Sequence, residues 1–229
     1  MHAVVCNAGM QAGTTVTTTA DGFESTFGVN HLGHFLLMNE LMPQMRAPGR
    51  VVVVSSGVHD PANKSGVPAP AWNSPDALAR GELGPASAAD RPFVSGQRRY
   101  STSKLANVYF TYGLARHLPH GVTANAFNPG LMPGTGLLRE AVAPARFMVE
   151  HVLPRVMPLA RLVLGSSVHS VEESGAALGR LVTDPRFAGV TGKYFSQTDE
   201  VRSSDESYDE ARAEELWKWS LELTARSAS

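Results

Sequence analysis

The chain has 229 residues, 43% hydrophobic and 18% charged, with 20 Lys and Arg against 21 Asp and Glu for a formal charge of −1. That length supports one domain with a real core, and a balanced charge without a basic block excludes nucleic acid as the main partner. A lone Cys6 rules out an internal disulfide, Met1 leads into apolar residues without a basic leader, and no uncharged run reaches the roughly 18 residues of a bilayer span, so a cytoplasmic globular protein is expected.

His2 to Cys6 reads as a short apolar strand, closed by the turn signal Asn7-Ala8-Gly9. Thr14 to Thr19 is β-branched but polar and reads as a loop. Asp21 and Glu24 resemble a capping box opening a long helix to about Met45, which Pro48-Gly49 stops. Arg50 to Ser55 is a valine run typical of a strand buried on both faces. The span 57–99 carries six prolines and no sustained period, so it reads as a long excursion, with Ser74-Pro75-Asp76 starting one short helix inside it. Tyr100 to Leu118 returns to helical spacing, and Val122 to Phe127 is the next strand, ended by Asn128-Pro129-Gly130. An apolar, proline-interrupted stretch follows from Leu137 to Leu164. Ser170 and Glu173 open a helix ending before Asp184-Pro185, Thr191 to Ser196 is a last strand, and Ser207 with Glu210 opens the terminal helix. This order predicts an α/β, Rossmann-like doubly wound sheet, mostly parallel, with helices on both faces, as a single domain over 1–229. Asn7, Ser56 and Pro129 all follow strand ends, where such sheets hold ligands.

The strongest chemical signal is Tyr100 and Lys104. Four residues apart on a helix, they share one face. An ammonium beside a phenol favours the phenolate and lowers the tyrosine pKa, which suits proton transfer to or from an alcohol or carbonyl oxygen. Other constellations carry less. His31 and His34 have a spacing that two metal ligands could share, but no third ligand lies near them in sequence, so no metal is expected. Ser56, His59 and Asp60 superficially suggest hydrolysis, yet the sequence has no G-x-S-x-G elbow. Cys6, in an apolar strand, reads as inert core.

Asn7-Ala8-Gly9, Asn30 within Gly28-Val-Asn-His-Leu-Gly-His-Phe35, Ser56, Tyr100, Lys104 and Pro129-Gly130, in that order, resemble the short-chain dehydrogenase/reductase family. Asp21-Gly-Phe-Glu24, Ser103-Lys-Leu-Ala-Asn107 and Glu172-Glu173 before Asp184-Pro185 are most similar to its retinol-dehydrogenase and light-dependent protochlorophyllide-reductase branches. The resemblance implies Tyr100 as general acid/base, with Lys104 lowering its pKa and bonding the nicotinamide ribose. It implies Ser56 as the group that polarises the substrate oxygen, with Ser55 the alternative hydroxyl. Asn30 would join a proton relay behind the lysine, the alternative being a polar kink in a helix. Asn7, Ala8 and Gly9 would line the cofactor's ribose side, and Pro129, Gly130 and Thr135 the nicotinamide. The cofactor implied is NADP or NAD, with NADP favoured.

Leu131 and Met132 begin an apolar region, 131–165, that reads as a substrate lid for a small hydrophobic alcohol or carbonyl. The protochlorophyllide branch carries a cysteine where this chain has Leu131, which argues against pigment reduction. The helices after Asp21 and around Tyr100 pair between subunits in family members, so a homodimer or tetramer is expected from the resemblance. The family's own glycine-rich phosphate loop has no counterpart in these 229 residues. Gly130 to Gly136 matches its spacing, but it follows Tyr100 and no acidic strand end comes after it. The chain therefore reads as lacking the first β-α units, and on its own it is expected to bind cofactor weakly, to be poorly active and to aggregate. A non-catalytic paralogue acting as an interaction or oligomerisation module is the alternative reading.

Overall fold

The computed structural model describes residues 1–11, 13–132 and 168–227. Four parallel strands, β1 (Ala3–Cys6), β2 (Gly49–Val54), β3 (Val122–Asn128) and β4 (Lys193–Ser196), lie in chain order, and a short antiparallel β5 (Asp199–Val201) completes the sheet. The register pairs Val4 with Val51, Val52 with Asn125 and Ala126 with Tyr194. Because side chains alternate across a strand, Val51 and Val53 face one side and Val52 and Val54 the other. β2 is an inner strand covered on both sides, which is why it reads as unbroken valine.

On the first face, Val4, Cys6, Val51 and Val53 pack with Phe35, Met38, Phe110, Leu114 and Trp217. These come from α2 (Gly33–Leu41), α4 (Pro92–His117) and the C-terminal α6 (Glu210–Ser227). On the second face, Val52, Val54 and Phe127 pack on Ala177 and Leu181 of α5 (Val171–Thr183). Helices on both faces of a mainly parallel sheet agree with the expected architecture. A third apolar layer joins Leu105, Ala106 and Tyr109 of α4 to Ala213 and Leu216 of α6. The outer sides of the helices expected to pair between subunits are thus partly covered by α6.

Several boundaries differ from the sequence expectations. Asp21 does not cap the first helix. Gly22 turns there at φ 85°, and Glu24 is itself the cap, accepting from the amides of Thr26 and Phe27. The helix then runs as α1 (Ser25–Phe27), a π-helical turn (Gly28–Leu32) and α2. The helix expected from Tyr100 begins eight residues earlier, at Pro92, whose fixed φ suits a first helical position. The short helix expected at Ser74 is present as α3 (Pro75–Ala79), capped by Ser74. Ser170 and Glu173 form the complete capping box of α5. The terminal helix is opened by Asp209, whose carboxylate accepts from the Arg212 amide, because Ser207 is engaged in a chain of buried hydroxyls. The stretch from Leu137 to Leu164 lies outside the described residues.

Candidate active site

β1, β2 and β3 all end at the same edge of the sheet, so the residues that follow them converge. Asn7, Ala8 and Gly9 leave β1 exposed. Behind them the Asn30 side chain clamps the chain at Met10, accepting from its amide at 2.8 Å and donating to its carbonyl at 2.9 Å. Asn30 also donates to Ser103 Oγ at 2.9 Å, so one fully buried amide ties the segment after β1 to α4. A Cβ added to Gly9 would lie 3.5 Å from Lys104 Nζ and 3.6 Å from Asn30 Oδ1, so the backbone there passes directly over both groups.

Tyr100 and Lys104 lie on one face of α4, with Lys104 Nζ 5.6 Å from the phenol ring centre. The Tyr100 phenol lies near enough to the Ser56 hydroxyl for that group to oppose the rise in its pKa. Ser55 is committed elsewhere, donating to the Lys104 carbonyl at 2.8 Å while almost wholly buried, which leaves Ser56 as the hydroxyl in the site. Lys104 Nζ donates to the Val54 carbonyl at 3.2 Å, and Asn107 donates to the same oxygen at 3.1 Å.

The electrostatics correct one expectation. Burial pushes the Tyr100 phenol up to about 12, with the neighbouring Ser56 hydroxyl acting in the opposite direction. Burial also brings the Lys104 ammonium down to about 8. Both groups lose water together, and desolvation is the largest cause of each shift. The phenol is therefore a protonated acid at neutral pH.

Asn128, which the sequence marked only as a strand end, organises the rest of the edge. Its Oδ1 accepts from the amides of Gly57 at 3.1 Å and Gly130 at 3.0 Å, holding the serine turn and the Pro129-Gly130 turn together. Gly130 sits at φ 75°, a conformation that favours glycine. The buried Pro129 carbonyl accepts from Ser174 Oγ and Gln197 Nε2. Leu131 is exposed at the mouth and bridges to Val168, and Met132 beside it is half-buried. Thr135 and the remainder of the expected lid lie outside the described residues.

The alternative constellations resolve differently. His59 donates through Nδ1 to the Ser56 main-chain carbonyl at 2.7 Å, not to its hydroxyl, so no Ser–His nucleophile pair forms. His31 bonds Ser220 Oγ, and His34 donates to the Asn30 carbonyl. Among the described residues no three potential ligands gather into a metal site. Cys6 is buried, and burial pushes its thiol up to about 12, as expected of inert core.

Comparison with known proteins converges on the same family. The short chain dehydrogenase family model matches residues 1–68. Human retinol dehydrogenase 14 is 34% identical over 202 residues, covering 87% of this chain and 52% of its own length. Protochlorophyllide reductase B of Hordeum vulgare is 33% identical over 237 residues, covering 96% of this chain and 58% of its own. A solved structure of an uncharacterized protein from Mycobacterium paratuberculosis superposes with a TM-score of 0.59 at 26% identity, over 98% of this chain and 67% of that one. Along its length the chain is similar to the short-chain dehydrogenase/reductase family. It spans a little over half the length of the two named relatives.

Proposed function

We propose that this chain carries the catalytic part of an NAD(P)-dependent oxidoreductase that interconverts a hydrophobic alcohol and its carbonyl. The observation that carries the reading is the Tyr100 phenol beside the Ser56 hydroxyl, with the Lys104 ammonium on the same helix face. Two neighbouring hydroxyls can both reach one substrate oxygen. Ser56 orients that oxygen as charge develops on it, and Tyr100 delivers its proton. Because burial keeps the phenol protonated, the resting site suits carbonyl reduction, and oxidation requires Tyr100 to be deprotonated first.

The residues present fit the sugar and nicotinamide end of such a cofactor. The exposed Asn7-Ala8-Gly9 backbone lies over the Lys104 ammonium, which has three donors and gives one to Val54, so it has capacity for a sugar hydroxyl. The nicotinamide, when bound, supplies or accepts the hydride. Lys104 holds a positive charge near the phenol, Asn30 fixes the chain above it, and Pro129-Gly130 forms the opposite wall. Leu131 and Met132 at the mouth support an apolar substrate, in line with the resemblance to a retinol dehydrogenase.

The test is oxidation of NADPH, supplied at millimolar concentration, in the presence of a panel of long-chain and aromatic aldehydes. The wild-type chain turns over at least one of them. Ser56→Ala loses roughly 10²–10³-fold and Tyr100→Phe roughly 10²–10⁴-fold while both keep the native circular dichroism. A folded wild type with no turnover of any aldehyde contradicts the reading and favours a non-catalytic interaction module.

A further inference from the structure

His59 lies behind the serine turn, and the proton-transfer scheme leaves it without a task. It is 1% exposed and both ring nitrogens are engaged. A carbonyl can only accept, so Nδ1 carries the proton given to Ser56 O at 2.7 Å. An amide can only donate, so the bare Nε2 accepts from the Ser204 amide at 3.1 Å. One neutral tautomer satisfies both bonds, and the ring lies against Tyr194 with centroids 4.8 Å apart.

The partner on the far side makes this arrangement informative. Ser204 belongs to the short turn before α6, and α4 grips the same turn from the other direction. Tyr109 Oη donates to the Glu206 carbonyl at 2.7 Å, and Tyr112 Oη lies 2.6 Å from Ser203 Oγ. Ser203 and Ser204 are in turn joined through Ser207, whose hydroxyl donates to the Ser204 carbonyl. The helix that carries Tyr100 and the turn that carries Ser56 are thus fastened to a common bracket, residues 203–208, one through two tyrosines and the other through one histidine.

We propose that His59 is a positioning residue, which sets the Ser56 hydroxyl against the Tyr100 hydroxyl by fastening the serine turn to the 203–208 bracket. The proposal deepens the oxidoreductase reading and rests on the same hydroxyl pair. It assigns a job in catalysis to the C-terminal segment 203–208. The two ends of the histidine separate by substitution. Asparagine at 59 places an amide N–H near the former Nδ1 and keeps the Ser56 bond, whereas glutamine places an acceptor near the former Nε2 and keeps only the Ser204 bond.

The test uses the 229-residue chain labelled at tyrosine Cζ, with the Tyr100 resonance assigned by its loss in Tyr100→Phe. Ser56→Ala gives the shift that marks loss of the Ser56 hydroxyl from beside the phenol. His59→Gln is expected to reproduce that shift and His59→Asn to stay close to wild type. Nitrogen-15 histidine spectra of the wild type are expected to show His59 protonated at Nδ1 with a bare Nε2, a readout that needs no variant to fold. The opposite tautomer, or a Tyr100 resonance unmoved by His59→Gln, overturns the proposal. This signal reports the hydroxyl pair without turnover. An inactive chain with the expected resonances fails the oxidoreductase reading alone, and an active chain with unmoved resonances fails only this one.

Discussion

Lys104 is a cation held almost wholly out of water, 3% exposed, with the Val54 carbonyl as its acceptor. Its pKa of about 8 against an ordinary value of 10.5 means the folded state holds that proton less tightly than the unfolded chain. Stability therefore rises as pH increases from about 8 towards 10.5, and at neutral pH the buried charge costs about 3 kcal/mol. Lys104→Met removes that cost, and Val54 O still accepts from Asn107. A net gain on the order of 2 kcal/mol should raise the thermal midpoint by several degrees in a chain of this size. Scanning calorimetry at pH 7 checks it, and a lowered midpoint would show that the ammonium stabilises the fold. The sequence made Tyr100, Lys104 and Ser56 legible through spacing and order. It could not show the sign of the Tyr100 shift, because that depends on how much water the site excludes.

Elements were legible where they carry their own punctuation. β2 announced itself through four valines, and α5 through the Ser170–Glu173 box. The start of α4 was missed because Phe93 to Arg99 shows no apolar period, with Phe93 itself exposed, so only Pro92 marks the helix. β5 escaped because all three of its residues are exposed, at an edge where no alternation is imposed. The entry to α1 rests on a tertiary contact that no local pattern reveals. Glu24 both caps the helix and faces Arg99 at 3.6 Å, each side chain nearly wholly buried. Glu24→Gln leaves a buried guanidinium without its counter-charge and should cost about 3–5 kcal/mol. Adding Arg99→Met to that variant should recover most of the loss. Urea denaturation of both singles and the double measures the coupling, and strictly additive losses would show that the two groups act independently.

At the scale of the whole molecule, three histidines among the described residues are buried with their pKa values lowered, which favours the neutral form. Burial brings His31 down to about 3 and lowers His34 and His59 as well. Each binds its proton less readily folded than unfolded, so the stability they permit is complete above about pH 6.5 and is lost as pH falls below it. With up to three protons taken up on unfolding, the free energy should fall by as much as ~4 kcal/mol per pH unit in the steepest part of that window. Urea midpoints at pH 7.5 and pH 5 test this, and His31→Leu should flatten the dependence by about one proton; identical midpoints at the two pH values would contradict it. The overall fold was legible because alternating strands and helices leave few topologies. The covering of α4 by α6 was not, since Trp217 and Leu216 reveal their partners only in three dimensions.

Everything functional depends on Tyr100 giving its proton to a carbonyl while Ser56 holds the oxygen. The most direct measurement supplies the chain with NADPH deuterated at the transferable position and a hydrophobic aldehyde, and reads the alcohol product by mass spectrometry. Wild-type chain is predicted to yield alcohol carrying one deuterium on the carbinol carbon, with formation in Tyr100→Phe reduced at least a hundredfold. Equal deuterium transfer by wild type and Tyr100→Phe would contradict the assignment.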